Sequence, residues 1–217
     1  MRRPMFGWWL LFVALGAAAE PATLLQLSGA QAAPAGLGRS VVVVIDAQRE
    51  YVDGALPLSG MEAAVAESRA LLARARRVGA PVVHVVHHGR AGGALFDPQR
   101  TAVAILPALT PKAGEAVVVK HWPDAFIDTD LERVLAATGR NELVVTGFMT
   151  HMCVSSTVRA ALARGYRTTV VAAATATRDL PDGRGGVVSA AEVQRGSLAA
   201  LADRFATVVE RAADLPD

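Results

Sequence analysis

From Val41 to the C-terminus, short β-branched runs alternate with longer stretches whose apolar positions recur every three or four residues. The runs are "VVVVID" (Val41–Asp46), "PVVHVVHH" (Pro81–His88), "AVVVK" (Ala116–Lys120), "ELVVTG" (Glu142–Gly147), "RTTVVAA" (Arg167–Ala173) and "ATVVE" (Ala206–Glu210). Near-continuous apolar runs of this length suit strands of a parallel sheet buried on both faces. Met61–Val78 reads as a helix, with Val65, Leu71, Leu72 and Val78 on one side and arginines on the other. Asp130–Thr138, Val154–Arg164 and Ser189–Asp203 read as further helices, and Gly79, Gly139 and Gly165 stand where C-caps belong. The alternation predicts a three-layer, doubly wound α/β domain with right-handed crossovers.

In such a sheet, ligands bind beyond the carboxyl ends of the strands. Asp46 ends the first run, Lys120 ends the third, and the fourth leads through Gly147 to Cys153. The long Gly- and Pro-containing connection from His88 to Glu115 is of the kind that lines a site. Cys153 is the only cysteine of 217 residues and stands at the expected N-terminus of a helix, where unpaired N–H groups favour an anion. Lys120 would add positive charge there, Asp46 would move the thiol proton, and the turn would offer N–H groups to an oxyanion. Each residue also has a plainer reading: Asp46 as a turn cap, Lys120 as a solvated strand end, Cys153 as core. Spacing alone leaves the two sets of readings evenly matched.

The N-terminus changes the picture of where the protein works. After Arg2 and Arg3 no charged side chain occurs from Pro4 to Ala19, a length that suits a signal-peptide apolar region better than a membrane span. Small-residue cleavage sites follow at Ala17-Ala18-Ala19 and Ala30-Gln31-Ala32. Residues 1–32 therefore read as a signal peptide or leader, 33–38 as a loose arm and 39–217 as the domain. The expected location is periplasmic or secreted, with no stable membrane span after processing. An uncleaved anchor, and a start codon placed too early on a cytoplasmic protein, are the other readings. Cleavage after Ala19 would leave 20 basic and 20 acidic residues. No basic cluster with interleaved aromatics points to nucleic acid.

"VVVVIDAQREY", "AVVVKHWPDAFIDTDLERVL" and "LVVTGFMTHMCVSSTVRAALARGYRTTVVAAATATRD" resemble, in order and spacing, segments of the isochorismatase-like cysteine hydrolases. The resemblance covers residues 39–217. It implies a six-stranded parallel sheet of order 3-2-1-4-5-6, with helices on both faces, and an Asp–Lys–Cys triad at Asp46, Lys120 and Cys153. It also implies a cis peptide between Phe148 and Met149, an oxyanion hole from the N–H groups of Met149 and Cys153, and homo-oligomeric assembly. In the strand order it implies, Lys120 must lean across the end of the second strand to reach Asp46.

The family implies hydrolysis of a small-molecule carboxamide or related C–N bond through a thioester, with no cofactor. Vinyl-ether hydrolysis of the isochorismatase type and a catalytically silent scaffold of the same fold are the alternatives. "YVDGALPL" lacks the histidine that metal-binding nicotinamidases carry near this point. His84 and His88 would face one side of a strand and His87 the other, a poor ligand set, so no metal is expected. Tyr51, Trp122, Phe126 and His151 are the candidates for substrate contact, with loop anchoring the other reading for Tyr51 and Phe126 and turn packing for His151. "DGRGG" (Asp182–Gly186) lacks a Walker lysine and reads as a turn.

Overall fold

The computed structural model describes residues 21–30 and 33–217. Apart from residues 21–30, the expected signal peptide lies outside the described residues. Among the described residues, eight strands run in chain order: β1 (Ser40–Ile45), β2 (Val82–His87), β3 (Ala116–Lys120), β4 (Glu142–Phe148), β5 (Arg167–Ala176), β6 (Leu180–Pro181), β7 (Val187–Val188) and β8 (Thr207–Val209). The helices are α1 (Leu24–Leu27), α2 (Met61–Arg77), α3 (Leu131–Ala136), α4 (Ser155–Ala163) and α5 (Ala190–Arg204). Six strands form one parallel sheet of order β3-β2-β1-β4-β5-β8, the order that the family resemblance implies. The small β6–β7 hairpin is separate.

Every residue of β1 and β4 is buried, because apolar layers cover the sheet on both faces. On one face Val42, Val44 and Val144 pack with Leu71, Leu72 and Ala75 of α2. On the other, Val41, Val43 and Ile45 pack with Leu131 and Leu135 of α3, Val158 and Ala161 of α4, and Leu201 of α5. Helix α2 stops where its sequence says it should: Gly79 takes φ 69° and donates to Arg76 O. One polar relay crosses the α2 layer. Ser68 Oγ lies 2.7 Å from Thr146 Oγ1, and Thr146 donates to Ala174 O at 2.7 Å, so the buried hydroxyls are satisfied.

Residues 33–38 are not a loose arm. Ala35 and Leu37 are buried in the α2-side core, Ala35 N–H donates to Thr169 Oγ1, and Leu37 N–H donates to Pro216 O. Ala35 and Leu37, in a segment otherwise made of alanine, proline and glycine, are enough to dock it. Strand β5 runs three residues past its expected end, because its register against β4 shifts between Val145 and Gly147. No described helix is long and apolar enough to cross a membrane.

Candidate active site

Asp46 leaves β1 with φ 49°, a left-handed conformation that costs a non-glycine residue about 1 kcal/mol or more. Its N–H donates to Val85 O of β2 and its carbonyl accepts from Gln48 N–H within the turn, so one neighbouring strand and one local bond hold the turn in place. Beside it, Gly147, the last residue but one of β4, takes φ 125°, and a Cβ there would stand 2.0 Å from Ile45 O. Only glycine lets β4 approach β1 this closely. The peptide between Phe148 and Met149 is cis. Thr150–Val154 then forms a single π-helical turn, with Val154 N–H donating to Met149 O, and delivers Cys153 above the strand ends.

Lys120, at the end of β3, does cross the end of β2. Its Nζ lies 2.7 Å from Asp46 Oδ2 and 3.3 Å from Cys153 Sγ. Asp46 and Lys120 are fully buried and Cys153 is 6% exposed. The Asp46–Lys120 approach is an ion pair whose angle falls short of an aligned hydrogen bond, since neither carboxylate oxygen has a partner of good geometry. Burial raises the pKa of Asp46, with Lys120 opposing. Burial, reinforced by the charge of Asp46, pushes the Cys153 thiol up to about 12 despite Lys120. The sequence suggested a thiol activated by the helix and the lysine; desolvation and the carboxylate outweigh both, so the resting group is a thiol.

Two neighbours of Asp46, Lys120 and Cys153 are not assigned to the site by the sequence, where His87 was weighed only as a metal ligand. His87, at the end of β2, accepts from Lys120 Nζ through Nδ1 at 3.1 Å. Burial, then the charges of Lys120, His121 and His88, lower its pKa to about 4. Phe96, from the long connection, sets its ring edge-on to Tyr51 (5.2 Å) and to His87 (5.0 Å). Reading which polar residues end the strands, the rule that found Asp46 and Lys120, would have found His87 as well. Nothing in "GRAGGALF" singles out Phe96.

Among the expected substrate contacts, Tyr51 is buried near Asp46 and Cys153, where burial first and the charge of Asp46 next raise its pKa. His151 has Nδ1 2.5 Å from Thr177 Oγ1, with its pKa lowered by burial and by Arg178. Trp122 is 55% exposed just beyond β3. Phe126 stacks on Tyr166 beneath the Arg164 guanidinium, near the C-terminal end of α4, whereas Cys153 precedes its N-terminal end. That places Phe126 in the core, as a loop anchor. His84 is also structural: its Nε2 meets Glu115 Oε2 at 3.0 Å. No three metal-ligating side chains among the described residues are placed to hold an ion. Hollows of about 470 Å³ (between α2, β5 and α5) and 610 Å³ (against β3) lie elsewhere, and neither joins a nucleophile to a base.

The family model for the isochorismatase domain matches residues 40–213. The chain belongs to the isochorismatase family. A secreted isochorismatase effector of Verticillium dahliae is 43% identical over 78% of this chain and 87% of its own length. Streptothricin hydrolase of Streptomyces noursei is 38% identical over 81% of this chain, which spans 63% of that protein. Maleamate amidohydrolase of Pseudomonas putida is 32% identical over 63% of this chain and 72% of its own length. A solved isochorismatase from Pseudomonas putida superposes with a TM-score of 0.86 at 45% identity, covering 90% of this chain and 99% of that one. The family thus includes hydrolases, amidohydrolases among them.

Proposed function

We propose that this protein is a cysteine hydrolase that cleaves a small-molecule carboxamide or related C–N bond. The observation that carries the reading is Lys120 Nζ, buried within reach of both Asp46 Oδ2 (2.7 Å) and Cys153 Sγ (3.3 Å). As substrate docks, Asp46 takes the thiol proton and Sγ bonds to the carbonyl carbon, while Lys120 compensates the negative charge shared by sulfur and carboxylate. The N–H groups of Met149 and Cys153 hold the tetrahedral oxyanion. Its collapse breaks the C–N bond, and Asp46 returns the proton to the departing nitrogen. Water, deprotonated by Asp46, then hydrolyses the thioester and frees Cys153. Vinyl-ether cleavage needs no thiol, so the contact between Cys153 and Lys120 favours acyl transfer.

The apolar N-terminal stretch and the secreted relative together support export of the mature chain.

The test is ammonia release from a panel of small primary carboxamides and N-carbamoyl amines. Cys153→Ala should lower turnover by roughly 10³-fold or more with the melting temperature little changed. Full activity in that variant would exclude the thioester route.

A further inference from the structure

We infer that His87 is a positioning residue of the catalytic centre: its Nδ1 holds Lys120 Nζ where it touches Asp46 and Cys153 together, and Gln48 holds His87 in turn. The inference rests on the cysteine-hydrolase reading above and adds a residue that the triad does not include.

The need for such a residue follows from the strand order. β3 lies two places from β1, so the Lys120 side chain spans the end of β2 before it meets Asp46. A lysine stem is flexible, and holding it in one geometry costs about 2 kcal/mol of rotamer entropy. The ammonium head hydrogen-bonds to His87 Nδ1 at 3.1 Å and to Cys153 Sγ at 3.3 Å, and forms an ion pair with Asp46 Oδ2 at 2.7 Å. His87 is the one that stands on the intervening strand, in register with Lys120. Without it the head would be held only by the two groups whose charges change during the reaction.

To accept from Lys120, Nδ1 must be unprotonated, which assigns the ring proton to Nε2. The surroundings enforce that state. Lys120 and His121 from the β3 end, with His88 beside the ring, disfavour a second proton, as does burial against Phe96. The backbone of His87 is equally fixed. Gln48 Nε2 donates to His87 O (2.9 Å) and to Val103 O (2.7 Å), and Gln48 Oε1 accepts from His87 N–H (2.8 Å). Gln48 is fully buried and follows Asp46 by two residues. One amide side chain therefore stitches the β1 exit, which carries the base, to the β2 exit, which carries His87.

The test uses the full chain and needs no substrate, because Cys153 is its only thiol. Iodoacetamide alkylation is followed by intact mass from pH 7 to 9. The groups facing the sulfur are Asp46, Lys120 and Tyr51. His87→Leu removes the acceptor, His87→Gln moves it away from the Nδ1 position, and His87→Asn places Oδ1 where Nδ1 was. If His87→Leu does not fold, His87→Gln stands in for it. With the lysine no longer held, the thiol pKa rises by about one unit, so both loss variants should alkylate roughly tenfold more slowly at a given pH. His87→Asn should stay within about twofold of wild type, a rescue that mere space-filling does not give. Wild-type rates in the loss variants, or equal slowing in all three, would overturn the inference. Lys120→Met separates the two levels. If it is slowed while the His87 loss variants are not, only the role of His87 fails. If Lys120→Met itself alkylates at the wild-type rate, the lysine does not support the thiolate and the hydrolase reading fails with it.

Discussion

Cys153 is kept as a thiol by the same carboxylate that is proposed to deprotonate it. Burial is the first cause of its raised pKa and Asp46 the second, while Lys120 pulls the other way. Proton transfer and attack on the substrate then belong to one event, which protects the thiol between turnovers. The arrangement gives opposite responses to one substitution. Asp46→Asn removes a raising influence, so iodoacetamide alkylation of Cys153 near pH 8 should become several-fold faster. The same variant has lost its base, so amide turnover should fall by about 10²–10⁴-fold. Parallel changes in the two rates would contradict the assignment. Asp46, Lys120 and Cys153 were all legible in the sequence, since each polar group sits at or just beyond the end of an apolar run. His87 and Phe96 were not assigned to the site, because a histidine next to another histidine reads as a failed metal site and an aromatic in a glycine-rich connection has no register.

At the scale of elements, the site depends on how closely β4 approaches β1. Gly147 faces Gly147's paired neighbour Ile45 with no room for a side chain and with φ in a region other residues avoid. Gly147→Ala should lose at least about 3 kcal/mol, read as a lower urea midpoint, and should slow Cys153 alkylation or turnover in whatever fraction remains folded. An unchanged midpoint would show that the two strands can move apart. All six sheet strands and four helices follow from the chain's periodicity, because burial on both faces leaves a continuous apolar run and amphipathic helices leave a stripe. The π-helical turn at Thr150–Val154 leaves no such trace, since one extra residue in a turn does not alter the stripe of α4. The β6–β7 hairpin has two residues per strand, one of them proline, and falls below what a period of two can reveal.

Across the whole molecule, buried titratable groups tie folding to pH. His84 and His87 both have lowered pKa values, His87 down to about 4, with burial the leading cause in each. Between the usual value near 6.5 and about 4, the unfolded chain binds a proton that folded His87 refuses, so stability is lost as pH falls through that window. Glu115 adds to acid sensitivity lower down. Burial would raise it, but Arg76, the Lys112 N–H and His84 outweigh burial and hold it at about 2, so its contribution is present above 4.5 and lost as pH falls toward 2. The urea midpoint should therefore drop from pH 7 to pH 4.5, with part of that drop absent in His87→Asn; a flat profile would mean that neither histidine is buried neutral. The proposed hydrolysis depends on a covalent step at Cys153. The most direct measurement is rapid-quench intact mass of the wild-type protein mixed with a carboxamide that it hydrolyses. The expected result is a mass increase equal to the acyl group, confined to the peptide carrying Cys153 and removed by hydroxylamine. Ammonia release with no adduct at any time, retained in Cys153→Ala, would contradict it.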